Sequence, residues 1–192
     1  MKCYQPGDRI SLIPIEEQYL DELSSFSLNP VIWEHIALEI CSREDLQRWY
    51  HRTVEETATG NVFPFLIQRN SDHEILGTTR IFDLDNPNKK AEIGMTWINP
   101  VYWGSKINTE AKLLLMRFAF YTLRLNRVQF RADERNLRSL KAITKLGATL
   151  EAKLRSFKQR RDGSVGDSYL YSIISSEWPE IEAKLLAYLS AE

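Results

Sequence analysis

The sequence predicts a mixed α/β fold in an α+β arrangement, with one sheet and helices on both of its faces. Three observations predict it. Residues 61–98 hold three strand-like runs joined by short polar turns, the pattern of an antiparallel meander. Residues 108–147 then alternate helix, strand and helix. An Asp162-Gly163 turn joins two further runs into a hairpin. No repeat, low-complexity tract or Ser/Gly-rich linker interrupts the 192 residues, so 1–192 reads as a single domain.

The elements follow in order. ISLIPI (10–15) is a short strand closed by Pro14. Residues 16–27 place Tyr19, Leu20, Leu23 and Phe26 at helical spacing, and Asn29-Pro30 breaks that helix. Val31 to Ile40 is a short helix or an irregular segment. Ser42, with Asp45 three residues on, caps a helix that ends near Gly60. The meander strands are 61–69, 74–85 and 91–98, with NPNK (86–89) as a turn. Pro64 marks an edge or irregular position, because proline donates no ladder bond. From Asn108 to Leu125, Ala111, Leu114, Leu115 and Phe118 keep a helical stripe, which Leu113, Met116, Phe120 and Tyr121 widen. That helix is expected to be buried on most sides. Residues 127–133 form a strand. Asn136 caps a helix with Leu137, Leu140, Ile143 and Leu146 inward, ended by Gly147. Strands 149–159 and 165–175 make the hairpin, and Trp178 to Leu189 is a last helix with Pro179 in its first turn.

Composition excludes several classes. Hydrophobic residues are 43% and charged residues 27%, near a globular average. The net charge of −1 gives no global basic excess to hold a phosphate backbone, which argues against a nucleic-acid binder. Cys3 and Cys41 make no disulfide framework, and no Cys-x-x-Cys pair suggests a metal site. No apolar stretch long enough for a signal peptide or membrane span occurs, so a soluble cytoplasmic protein is expected.

Two stretches carry candidate chemistry. In AEIGMTWINPVYWGSKINTEA (91–111) a strand runs through a short loop into a buried helix. Free N–H groups at a helix start attract anions, Gly104 and Ser105 permit close approach, and Lys106 adds positive charge. The stretch is either a pyrophosphate cradle or an ordinary strand-to-helix turn. It is neither a Walker A loop nor a dinucleotide fingerprint. In DERNLRSLKAITKLGA (133–148), Asn136 and Ser139 share one face of a helix start, which a plain N-cap also explains.

Together these residues resemble the GNAT superfamily of acetyl-CoA-dependent N-acetyltransferases, in its RimJ/RimL-like branch. The resemblance rests on Ala91-Glu92-Ile93-Gly94, then Tyr102-Trp103-Gly104 with Thr109-Glu110-Ala111. It continues in Asn136-x-x-Ser139 with Lys145-Leu146-Gly147-Ala148, and in a last hairpin with Arg155, Asp162-Gly163, Asp167, Tyr169 and Tyr171. It covers most of the chain and is strongest over 91–175. It implies a GNAT-like fold, with a mostly antiparallel sheet splayed between strands 91–98 and 127–133 and acetyl-CoA, as cosubstrate, in the gap. The pantetheine arm pairs with backbone at Met95, Thr96, Trp97 and Ile98. The pyrophosphate sits on Trp103, Gly104, Ser105, Lys106, Ile107, Asn108 and Thr109. Asn136 contacts the pantetheine arm, and Ser139 meets the thioester sulfur. The family turn has Gly where this chain has Lys106, and Gly or Ala where it has Asn108. The Lys106 side chain therefore either crowds a phosphate or reaches it as a cation.

The implied chemistry is aminolysis of a thioester, which needs two held substrates and a base but no metal. Glu92, beside the gap, is the first candidate base; its rival reading is a surface carboxylate. Trp33, Glu34 and His35 lie where the N-terminal helices meet the sheet. There Glu34 can bind a cationic amine and His35 can act as a second base; alternatively Trp33 is core and its neighbours are solvated. Phe82 and Asp83 can line the same pocket. His51 and His73 receive no role. The basic run Lys153, Arg155, Lys158, Arg160 and Arg161 reads as a solvated hairpin tip or, less simply, as a dock for acidic peptide or ribosomal RNA. The acceptor is a primary amine, on a protein N-terminus such as a ribosomal protein's or on a small molecule. The rival function is a non-catalytic acyl-CoA-binding or interaction module, for which Lys106 is the best argument. Exposed aromatic residues on the last hairpin suit a homodimer.

Overall fold

The computed structural model describes residues 4–36 and 38–191, so Cys3 lies outside the described residues. The chain starts with strands β1 (Gln5–Pro6) and β2 (Ile10–Pro14), then helices α1 (Leu20–Ser27) and α2 (Arg43–Ala58). The meander follows as β3 (Phe63–Arg69), β4 (Ile75–Asp85) and β5 (Lys90–Ile98). Then come α3 (Ile107–Arg117), β6 (Arg127–Asp133), α4 (Leu137–Lys145), β7 (Thr149–Gln159), β8 (Val165–Ile174) and α5 (Trp178–Ser190). The eight strands form one sheet in the order β1-β2-β3-β4-β5-β6-β8-β7. Every neighbouring pair is antiparallel except β5 and β6.

Strand alternation sends side chains to two cores. Ile10, Leu12, Phe65, Ile67, Ile93 and Val128 meet α3 and α5 on one face. Ile13, Leu66, Ile75 and Trp97 meet α1 and α2 on the other. Trp97 centres this second core, with its ring 5.2 Å from that of Trp33, 5.5 Å from Trp49 and 5.8 Å from Phe26.

The predicted elements form, with three differences. The two-residue β1 carries no pattern that a sequence reading detects. Residues 30–32 make one 3₁₀ turn, capped by Asn29 Oδ1 accepting from Val31 N at 3.2 Å, and no longer helix follows in the described part of 31–40. The α3 helix stops at Arg117 and passes into a π-helical turn, Phe118–Thr122, where Leu123 N donates to Phe118 O at 2.9 Å. Pro64 lies in an inner strand of the sheet, at a position that pairs with Arg80 on one side and has no β2 partner on the other. It is tolerated because β2 has already ended there, its last pair being Pro14 with Phe65.

The pairing of β5 with β6 positions the site. It consists of Lys90–Arg127, Ala91–Val128 and Glu92–Gln129 alone. Beyond Glu92 the two parallel strands run on without pairing, and the sheet splits between residues 93–98 and 130–133.

Candidate functional site

One lip of the split is β5. Opposite Thr79 of β4 it carries two residues, Met95 and Thr96, between the pairs Arg80–Gly94 and Thr78–Trp97. This is a β-bulge, and Met95 takes a positive φ of 48° within it. The bulge resets the alternation. Ile93 and Ile98 join the α3 core, Trp97 joins the α1/α2 core, and Thr96 turns to α3. There Lys112, fully enclosed, donates to Thr96 Oγ1 and to Thr79 Oγ1 at 3.2 Å. Burial pulls its ammonium from 10.5 down to about 7. Met95 alone among residues 95–98 exposes a large apolar side chain.

The loop beyond β5 is a 3₁₀ turn (Pro100–Tyr102), followed by Trp103, Gly104, Ser105 and Lys106. Gly104 has φ +80°, with open space around the position a Cβ would take. The start of α3 has no side-chain N-cap bond; Ser105 Oγ accepts from Ile107 N at 3.3 Å. Lys106 is in ordinary right-handed helical conformation, so its substitution for glycine strains nothing. Its amine is turned away from the turn. It donates to the carbonyls of Leu189 and Ala191 at the end of α5, beside the Tyr188 ring. The side chains of Ile107 and Thr109 are buried, so only their backbone is available to a ligand on the turn.

The other lip is β6 with α4. Asn136 Oδ1 accepts from Ser139 N at 3.0 Å, a regular N-cap. Ser139 is half-buried. Between them Arg138 reaches across the split, its guanidinium carbon 3.3 Å from the centre of the Trp103 ring. Arg138 thus bridges the two lips at their open end.

Glu92 sits at the apex, in the last parallel pair. It is 5% exposed, so the surface-carboxylate reading does not hold. Its Oε2 accepts from Arg131 Nε at 2.6 Å and from Gln129 Nε2 at 3.2 Å. Burial pushes the Glu92 carboxyl above its ordinary range, against the opposing pull of Arg131. Arg131 also pairs with Asp83 at 3.4 Å and lies 5.1 Å from the Phe157 ring centre. The Phe82 ring packs on Gly94, 3.2 Å from where a Cβ would stand.

The N-terminal candidates separate. Trp33 is fully buried, donates to Ser27 O at 2.7 Å and packs on Trp97. It is core and cannot touch an acceptor, which corrects its assignment to the pocket. Glu34 is exposed, and His35 Nε2 stands 3.9 Å from its Oε1. The basic hairpin is solvated at Lys153, Arg155 and Arg161, but four of its five basic residues are held by partners. Lys158 donates to His35 O at 2.7 Å, Arg160 holds Asp133 at 2.8 Å, Lys153 holds Asp167 at 2.9 Å, and Arg161 pairs with Glu39. The hairpin folds back on the α1–α2 segment at His35 and Glu39. Arg131, Lys112 and Arg138 were missed from sequence. A lysine inside an otherwise apolar helix face was the one available signal, at Lys112.

Among the described residues no helix is long and apolar enough to cross a membrane. The acetyltransferase (GNAT) domain family matches residues 9–149. YdaF of Bacillus subtilis strain 168, provisionally named a ribosomal N-acetyltransferase, is 35% identical over 107 residues, 56% of this chain and 57% of YdaF. A provisionally assigned acetyltransferase structure from T. thermophilus is 30% identical, with a TM-score of 0.87 over 98% of both chains. The fold also matches Mycobacterium smegmatis RimJ, solved in complex with CoA-disulfide. There the TM-score is 0.82 at 22% identity, covering 95% of this chain and 90% of RimJ. The chain belongs to the GNAT family of acetyltransferases, and these likenesses are those expected of its RimJ/RimL-like branch.

Proposed function

We propose that the protein transfers the acetyl group of acetyl-CoA to a primary amine, and that a protein N-terminus, such as that of a ribosomal protein, is its acceptor class. The observation that carries this reading is the split sheet. Backbone on the inner edge of β5, residues 93–98, is left without a partner strand, beside an α3 start whose N-cap residue, Lys106, makes no side-chain cap bond. An extended, amide-bearing arm ending in a diphosphate complements both.

The donor supplies an acetyl group activated as a thioester. The turn 103–109 receives its pyrophosphate, β5 at Met95 to Ile98 pairs with its arm, and Asn136 hydrogen-bonds it from the far lip. The acceptor amine enters from the α1/α2 face, past Glu34, His35 and Phe82. Glu92 takes the amine's proton, directly or through water, as the N–C bond forms. The C–S bond breaks, and the Ser139 hydroxyl hydrogen-bonds the departing thiolate. Carboxylates at Glu34, Asp83 and Glu92 suit a cationic acceptor. The name of YdaF points toward ribosomal proteins as acceptors. The rival non-catalytic reading drew on Lys106, and that amine is turned away to α5.

Calorimetry of acetyl-CoA on wild type and Asn136→Ala, followed by a screen of N-terminal peptides and small amines by mass spectrometry, tests this. Donor binding weakened by Asn136→Ala and acetylation of the peptides support it. Wild type that neither binds acetyl-CoA nor acetylates any amine refutes it.

A further inference from the structure

A diphosphate on the turn 103–109 carries negative charge on both phosphates. Backbone N–H groups and the helix dipole offset part of it. Lys106, the cation inside the turn, is committed to the α5 carbonyls. Arg138 is placed differently. Its guanidinium lies on the indole of Trp103, the residue immediately before Gly104. Arg131, Arg135 and Arg160 on the same side of the split are all ion-paired. No carboxylate among the described residues lies within 4.0 Å of Arg138; partial burial holds it below its ordinary range, with Glu34 opposing from a distance. A guanidinium stacked on an indole beside an open turn, with no carboxylate partner among the described residues, is placed to meet an anion.

We propose that Arg138 is a ligand of the donor's pyrophosphate, with Trp103 as the platform that holds it at the turn; this rests on the acetyl-CoA reading above. A guanidinium stacks by its face and bonds by its edge, so its N–H donors remain free to meet phosphate oxygens in pairs. No existing ion pair has to break. Arg138 stands between Asn136 and Ser139 in the first turn of α4. Phosphate binding on one lip therefore draws in the residues on the other lip that meet the arm and the thioester. The site accordingly favours full CoA thioesters over phosphate-free ones.

The test is calorimetry of CoA, 3′-dephospho-CoA and pantetheine on wild type, Arg138→Gln and Arg138→Lys, at low and high salt. Arg138→Gln is expected to weaken CoA and 3′-dephospho-CoA alike by about 10–30-fold, with a shallower salt dependence, while pantetheine is bound as by wild type. Arg138→Lys is expected to recover part of the loss, as a point charge without the paired geometry. Unchanged CoA binding in Arg138→Gln overturns the proposal alone. So does an equal loss for pantetheine, which means that the arginine only shapes the slot. A loss seen with CoA but not 3′-dephospho-CoA moves the contact to the 3′-phosphate and overturns the pyrophosphate assignment. Wild type that fails to bind CoA at all overturns this proposal together with the proposed function.

Discussion

Replacing Lys112 by methionine is expected to stabilise the protein at neutral pH. The amine is enclosed between α3 and the sheet, held by two threonine hydroxyls, and burial alone sets its proton affinity. In the unfolded chain it keeps its proton up to 10.5; in the folded protein it releases it at about 7. Between those values the unfolded chain binds the extra proton, so stability rises with pH, by about 1.4 kcal/mol per pH unit. Below pH 7 both states are protonated, and the contribution is flat at its least favourable. At pH 7 the cost of burying this group is about 4–5 kcal/mol. Methionine keeps an unbranched chain as far as the ε position, lacks only the terminal amine, and has no proton to lose. The two hydrogen bonds given up are worth about 1 kcal/mol each, and the Thr79–Thr96 hydroxyl contact at 2.7 Å survives. The variant is therefore expected to be about 2 kcal/mol more stable at pH 7, with the advantage gone near pH 9. Urea unfolding of both proteins from pH 7 to 9.5 reads this directly, since every other titrating group is common to the pair. A less stable variant at pH 7, or a difference that does not change with pH, refutes the reasoning.

Other expectations concern the site. With the Glu92 carboxyl raised by burial, wild-type kcat/KM falls as pH drops through a value above the usual glutamate range; Glu92→Gln is expected to lose that acid limb and about a hundredfold in kcat. A retained limb assigns the proton acceptor elsewhere. Trp33→Ala is expected to cost about 3–5 kcal/mol in urea unfolding, as a fully buried ring. A pocket residue would instead raise the acceptor KM at unchanged stability. Asn136→Ala is expected to lose about 1 kcal/mol with its cap and to bind acetyl-CoA more weakly. Asn136→Ser is expected to restore the stability but not the affinity, which separates the two roles in paired melts and titrations.

Local chemistry made much of this molecule legible. The meander, the β6 strand, the Ser42 and Asn136 caps and the Asp162-Gly163 hairpin depend on neighbours a few residues away, and their residue types announce them. Gly104 ahead of a helix start marked the open turn for the same reason. What escaped was set by distant partners. Lys106 meets α5 carbonyls more than eighty residues on, and Arg138 finds its indole across the split. Trp33 and Glu34 are adjacent and equally plausible in a pocket, yet packing against Trp97 buries the first and leaves the second in solvent. Lys112 lies in a largely apolar helix, and its enclosure depends on Thr79 and Thr96 of the sheet, partners that local spacing does not announce.

A sheet divided at its centre has four edges rather than two. The outer strands β1 and β7 end the sheet, but β5 and β6 also carry edge backbone, and theirs lies inside the molecule. An outer edge must be defended against pairing with other chains; an inner edge is defended by the strand that faces it. On the function proposed above, the donor takes the place of a missing rung, and the inner edge of β5 beyond Glu92 is a stretch of strand whose partner would be a small molecule instead of polypeptide.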